Sequence, residues 1–383
     1  MARPVLRTKL CDLLGIEYPI ISAGMGPSLI GESTGSPVKL VVAVSEAGGL
    51  GVLGAAGYSV DEMRDCIREI RKLTDKPFGV DLLLPAQTVG SEDQNVAVSI
   101  PLSEVVRTLP KEHYDWVMKM KAEMGLPDVE VMIKAGKTTL RPHESVRICL
   151  EERVPLFCSG LGNPGFMVAD AHAVGMKVLG IAGNTKNVAR IAKSGVDLVV
   201  AQGHEGGGHT GRVGSAALWP QAIDAAAPVP VLAAGGIGDG RGVAAALAMG
   251  CIGVWVGTRF LASEEGGIMD IQKQAILKAT DEDTRRAYLY TGKTSRATYN
   301  KFHDLWEQSG LEPLPFPTQV MLASVMVAMF TKAGMKEYIG PFAGQVVGLI
   351  HEIKPAAKIL EDMVAETVDI LTRKLPESVV AKA

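Results

Sequence analysis

Eight short apolar runs recur along the chain as far as residue 257, most of them ending in glycine or another small residue and each followed by a loop. They are residues 19–24 (PIISAG), 50–54 (LGVLG), 78–83 (FGVDLL), 154–159 (VPLFCS), 177–181 (KVLGI), 197–201 (DLVVA), 229–234 (VPVLAA) and 253–257 (GVWVG). Apolar residues within the runs are continuous rather than alternating, which marks strands buried on both faces, as in a parallel sheet covered by crossover helices. Helical periodicity occupies residues 38–47, 60–73, 185–194 and 242–249, and Gly48, Gly195 and Gly250 follow three of these helices where a left-handed C-terminal turn is expected. Most strand starts are spaced by about 20–30 residues, the length of one β-loop-α-loop unit. Eight such units predict a (β/α)8 TIM barrel. A doubly wound open sheet is the alternative. It would place a ligand at one switch point, whereas here almost every strand ends in small residues, as a barrel with a ligand over its C-terminal mouth requires.

Two stretches break the repeat. Between the third and fourth strands lies a long polar insertion, about residues 88–143, with a predicted helix over 102–124 and the loop KAGKTTLRPHE at 134–144. An insertion of that length at the catalytic end reads as a lid or an oligomer contact. Beyond Phe260 the chain continues with helical patterns near residues 268–279, 318–333 and 343–371. The expected organisation is a barrel over 1–263, including the insertion, and a helical C-terminal region over 264–383 packed on it.

Composition narrows the classes. The 383 residues are 47% hydrophobic with a formal net charge of −3, so a sizeable core is expected and disorder is not. Lys and Arg are spread along the chain and balanced by acids, which gives nucleic acid no basic face to bind. No apolar segment reaches membrane-spanning length, and the N-terminus MARPVLRTKLCDLLG lacks a continuous apolar region. Cys11, Cys66, Cys149, Cys158 and Cys251 are odd in number and widely spaced, with no CxxC pair and no metal-ligand spacing. They read as reduced thiols, no metal is expected, and the cytoplasm is the expected location.

The chemistry concentrates at strand ends. AQGHEGGGHTG, residues 201–211, follows the sixth strand and packs two histidines, a glutamate and five glycines into eleven positions. Such bare backbone just past a strand marks a forced turn or the close approach of a ligand. AAGGIGDGR (233–241) and GVWVGTR (253–259) end the seventh and eighth strands, the two positions at which barrels commonly hold a phosphate on backbone N–H groups and a short helix N-terminus. Gly235, Gly236, Gly257 and Thr258 are therefore read as a phosphate cup. The order of glycines after Gly235 meets the dinucleotide fingerprint only loosely and falls after a seventh strand, so it is not read as a Rossmann motif.

PIISAGMG at the first strand, KPFGVDLLLP at the third, VDLVVAQGHEGGGHTG at the sixth, the segment from PVLAAGGIGDGRG to GVWVGTRFLAS, and YTGKTSRATYNKF beyond it together resemble the nitronate monooxygenase (2-nitropropane dioxygenase) family of FMN-dependent barrels. The resemblance covers most of residues 5–300. It implies FMN with its phosphate on Gly235, Gly236, Gly257 and Thr258, and its ring system against Ala23, Gly24 and Met25, contacted by Gln202 and Gly207. On this reading Gly206, Gly207 and Gly208 are glycines because side chains there would collide with the cofactor. His209 matches the family's catalytic histidine, whose imidazole can take a proton from carbon beside a nitro group. His204 competes with it, Glu205 is expected to orient the loop, and His172 to lie on the surface. The third-strand residue, often asparagine in the family, is Asp81 here and is expected to accept from a ribityl hydroxyl or a lysine.

The implied reaction is oxidation of alkyl nitronates with O2 to carbonyl compounds and nitrite. The alternative keeps the flavin but takes electrons from NAD(P)H for an enoyl thioester or quinone. A non-redox barrel that uses the cup for a phosphorylated metabolite is a third reading. The expected partners are a small-molecule substrate and O2, with a homodimer compatible with the C-terminal helices.

Overall fold

The computed structural model describes residues 4–26, 34–84, 107, 109–129, 141–316 and 318–380. The eight predicted runs form strands β1 (Ile20–Ser22), β2 (Gly51–Gly54), β3 (Phe78–Leu83), β4 (Leu156–Leu161), β5 (Lys177–Ala182), β6 (Leu198–Gln202), β8 (Val231–Ala234) and β9 (Val254–Val256), where β7 is the two-residue strand Gly208–His209. All eight pair in parallel, in the order β1-β9-β8-β6-β5-β4-β3-β2. The ends meet through an Ile21–Leu50 bridge, with Leu50 N–H donating to Ile20 O at 3.1 Å. That closure makes the sheet a barrel and removes the doubly wound alternative.

The continuous apolar runs are explained by two cores. Ile21, Val52, Leu198, Val200, Leu232 and Trp255 point into the barrel and pack on the N-terminal helix α1 (Lys9–Leu14), which plugs the bottom. Their neighbours Ile20, Leu53, Val199, Val231, Val254 and Val256 point outward to the helices. The helix caps also follow the sequence. α2 (Val38–Glu46), α4 (Thr185–Ala192) and α6 (Gly240–Ala248) are followed by Gly48, Gly195 and Gly250 at φ +100°, +89° and +96°, while α3 (Val60–Leu73) opens on a Ser59/Glu62 capping box; α5 is Ser215–Ala226.

The chain after β9 differs from a purely helical appendage. It contains a hairpin, β10 (Thr284–Ala287) and β11 (Ser295–Thr298), and β11 also pairs with β7. These short polar segments lack strand alternation; pairing with the glycine-rich loop, not local pattern, makes them strands. The predicted helices near 268–279 and 318–333 appear as α7 (Asp270–Lys278) and α8 (Thr318–Lys332). The long pattern at 343–371 is broken into a short 3-10 helix, Gln345–Leu349, and α9 (Ala356–Asp369), which runs on into a π-helical turn from Ile370; the break falls where it does because Pro355 lacks an N–H and disfavours helix in the residue before it.

α9 packs against α2 and α6, and Gly240 N–H donates to Glu366 Oε2 at 2.8 Å. Ile359, Leu360, Met363 and Val364 belong to the outer barrel core, so α9 fills the place of the eighth barrel helix. A second core lies apart from it. Trp116, Val117 and Met120 of the insertion helix Lys111–Glu123 pack with Leu289, Phe302, Trp306 and Phe330 of the post-barrel chain. Most of the remaining insertion, including the first part of the helix predicted at 102–124, falls outside the described residues. No helix among the described residues is long and apolar enough to cross a membrane.

Because Leu360 is fully buried in the barrel core, Leu360→Ala is expected to lower stability by roughly 2–5 kcal/mol. Chemical denaturation of the two proteins checks it; an unchanged midpoint would show α9 to be merely docked.

Candidate active site

The C-terminal ends of the strands surround one cavity of about 400 Å³, within the range of small-molecule and cofactor sites. Its floor begins at β1. Ser36 Oγ donates to Ala23 O at 2.8 Å and accepts from Met25 N–H at 3.1 Å, fixing the turn Ala23-Gly24-Met25 along one side. Asp81 of β3 and Gln202 of β6 line the adjoining walls, and Gly207, Gly208 and His209 cross the mouth. Beside them, at the ends of the neighbouring β8 and β9, lie Gly235, Gly236, Gly257 and Thr258. These twelve positions, assigned from the sequence to the cofactor or to catalysis, therefore border the same space.

The cup has the features of an anion site. Gly235 and Gly236 have φ of +86° and +78°, which glycine adopts without strain, and their N–H groups make no hydrogen bond to the described residues. Thr258 Oγ1 accepts from Gly344 N–H at 2.9 Å, so its own hydrogen remains available to a ligand. A Cβ on Gly257 would find only Ala23 and Met25, at 3.7 and 3.8 Å. Glycine there leaves a space the protein does not fill. Free donors, spare hydroxyl and open cradle fit a phosphate-bearing cofactor.

The glycines of the β6 loop answer to different neighbours. A Cβ on Gly206 would press on Gln202 at 2.9 Å, and one on Gly207 would meet the backbone of Ala343 and Gly344 at 2.7–2.8 Å. Gly208 needs its φ of +69° and faces open space. At Gly206 and Gly207 the protein's own packing is thus a further reason for glycine, independent of any cofactor.

His209 is held on three sides. Its backbone pairs with Ser295 of β11, its carbonyl accepts from Gln202 Nε2 at 2.7 Å, and its Nε2 lies 3.1 Å from Thr291 Oγ1. Thr291 donates its one hydroxyl hydrogen to Lys293 O at 3.1 Å, a carbonyl with no other donor among the described residues. With the hydroxyl hydrogen assigned to Lys293 O, Thr291 Oγ1 accepts from Lys293 N–H at 3.3 Å and from His209 Nε2, and the neutral ring carries its lone pair on Nδ1, which has no hydrogen-bond partner among the described residues. Burial, and secondarily the Lys293 charge, push the His209 pKa down to about 4. The imidazole is therefore neutral and a free base at ordinary pH.

The other titratable groups behave differently. Asp81 is buried, and desolvation raises its pKa well above the usual carboxylate range against one N–H donated by Gly160. No lysine reaches it among the described ion pairs, contrary to one expectation for this residue. His204 does not line the cavity. Its two ring nitrogens lie 2.9 Å from Arg286 and Arg296, a structural arrangement. Glu205 accepts from Ser215 N–H and Oγ at the start of α5, which orients the loop as expected. His172 is at the surface beside Asp197.

Sequence reasoning missed the roof. Phe316, Val320, Ala323 and Val327 of the post-barrel chain, with Tyr290 and Phe342, cover the mouth with apolar surface. Tyr290 and Thr291 lay within the motif YTGKTSRATYNKF, but the other roof positions carried no local signal.

A closed barrel with a donor-lined cup after its last two strands and a neutral imidazole across its mouth defines a cofactor-dependent barrel enzyme. The model of the nitronate monooxygenase family matches residues 7–366, and the chain belongs to that family of flavin-dependent oxidoreductases. It is 35% identical over 379 residues to a Mycobacterium tuberculosis protein provisionally named a monooxygenase, covering 95% of this chain and 97% of the relative. It is 31% identical over 380 residues to a Staphylococcus aureus protein provisionally named a nitronate monooxygenase, covering 96% and 99%. Among solved structures, nitroalkane oxidase from Streptomyces ansochromogenes superposes with a TM-score of 0.77 at 28% identity, over 95% of this chain and 99% of that one. FabK from Thermotoga maritima does so with a TM-score of 0.72 at 30% identity, over 98% and 100%.

The two glycine environments predict opposite behaviour in the cofactor-free protein. Gly207→Ala forces a Cβ onto backbone and should cost roughly 1–3 kcal/mol, whereas Gly257→Ala should stay within about 1 kcal/mol of the parent. Denaturant titration of both apoproteins reads the difference; equal losses would contradict it.

Proposed function

We propose that this protein is an FMN-dependent nitronate monooxygenase that oxidises small alkyl nitronates with O2 to carbonyl compounds and nitrite. The observation that carries the reading is His209: a neutral imidazole, fixed through Nε2 by Thr291, with Nδ1 unengaged beside the donor-lined cup. Gly235, Gly236, Gly257 and Thr258 would hold the phosphate. When bound, FMN supplies one-electron transfer between the substrate carbon and O2. His209 Nδ1 takes the proton from the carbon beside the nitro group of a neutral nitroalkane, and the imidazolium then faces the anionic product. Lys293, whose ammonium lies 5.1 Å from the Phe316 ring centroid, adds positive charge on the same side. Phe316, Val320 and Val327 seat the alkyl portion and keep water from it.

A second reading rests on the likeness to FabK and on the size of the apolar roof: reduction of the flavin by NAD(P)H, with an enoyl thioester or quinone as acceptor. Anaerobic spectra of the FMN-loaded protein separate the two. Bleaching by a nitronate alone supports the monooxygenase; bleaching by NADH or NADPH alone moves the protein to the reductases.

Two outcomes follow from the state of His209. His209→Asn should lower kcat/KM for a neutral nitroalkane by about 10²–10⁴-fold while changing that for the preformed nitronate by less than about tenfold. With the His209 pKa near 4, the base stays available as pH falls, so kcat/KM for the nitroalkane should hold level to about pH 5 and drop only below it. A fall centred near the ordinary histidine value of about 6.5 would contradict this assignment.

A further inference from the structure

Two acidic side chains line this cavity, and neither makes an ion pair among the described residues; Glu205 is satisfied by Ser215, whereas Asp81 has a single backbone donor. In the barrel register it lies between Gly54 of β2 and Cys158 of β4. Gly160 N–H donates to Oδ1 at 2.8 Å, and Gly24 approaches so closely that any Cβ there would overlap the Asp81 side chain. Oδ2 makes no hydrogen bond to the described residues. Among the described residues the titratable group facing Asp81 is the Cys158 thiol, itself pushed up by burial and by Asp81; β2 contributes Val52 and Gly54, and the β1 turn contributes Gly24, none of them titratable. An ionised carboxyl here would be a lone charge in an apolar wall, facing a space built to receive an anionic phosphate.

A carboxylic acid suits the same geometry. Oδ1 accepts from Gly160, and a hydrogen on Oδ2 gives the cavity wall a donor where it otherwise has none. We propose that Asp81 binds the cofactor as a neutral acid donating from Oδ2 into the cavity, so that flavin binding and a proton on Asp81 are linked. This rests on the flavin reading of the site. The direction in which burial moves the Asp81 carboxyl agrees with it.

The sign is definite. Ionisation of Asp81 competes with binding, so the dissociation constant rises with pH once the carboxyl of the free protein begins to ionise, at most tenfold per pH unit. The cofactor phosphate has its second ionisation near about pH 6 and is almost entirely dianionic by about pH 7, where this window opens.

The test is titration of the apoprotein with FMN, followed by quenching of flavin fluorescence between about pH 7 and 9.5, for the parent and for Asp81→Asn. Asparagine keeps the acceptor for Gly160 and the donor into the cavity but cannot ionise. The parent should weaken at least about tenfold across the range and the variant less than about threefold. Calorimetry of the parent at the pH where its affinity is falling, in buffers of different ionisation enthalpy, should show proton uptake on binding, and this measurement stands even if the variant fails to fold. Parallel pH curves, or no proton uptake by the parent, overturn the proposal. Failure of both proteins to bind FMN at about pH 7 instead sinks the flavin reading, and the inference falls with it.

Discussion

The constraint on which the site depends is the stitching of the loop after β6 into the hairpin that follows the barrel. Gly208 and His209 form a strand only because Arg296 and Ser295 of β11 pair with them. The same loop passes the backbone of Ala343 so closely that residue 207 must be glycine. Barrel and post-barrel chain therefore meet at the residue best placed to act on substrate. Without that contact His209 would sit on a free glycine-rich turn, and its ring orientation would be undefined.

The parts that surround His209 share one structural origin. The insertion after β3 and the chain after β9, far apart in sequence, bury Trp116, Phe302, Trp306 and Phe330 in a common core. This second core carries the apolar roof over the mouth. A covered mouth lowers the local dielectric, which keeps the imidazole uncharged and leaves the carboxyl of Asp81 favouring its proton. Electrostatics at the site are thus set by packing as much as by charged neighbours.

The two ends of the barrel divide the work. The bottom is closed by α1 and by large apolar side chains pointing inward, and contributes rigidity. The top ends in small residues, where the donors of Gly235 and Gly236 and the hydroxyl of Thr258 are left available by the fold itself. A barrel can carry such unsatisfied groups on one rim because parallel pairing satisfies the backbone everywhere below it.

The eight strands, the cup and His209 were legible in the sequence because each is written locally. Continuous apolar runs signal strands covered on both faces, and glycines at fixed strand ends signal backbone that approaches a ligand. Other features were not local. The hairpin at 284–298 exists through pairing with the β6 loop, α9 joins the barrel only by packing between α2 and α6, and the roof residues look like any apolar helix. The same division runs through the site. Residue type at 81 and 209 fixed which groups could titrate, but burial, the Thr291 hydrogen bond and the lack of a cation beside Asp81 among the described residues decided which form each takes. Sequence determined the chemical groups and the strand ends that present them; tertiary structure decided their protonation and orientation, because both depend on neighbours brought from distant parts of the chain.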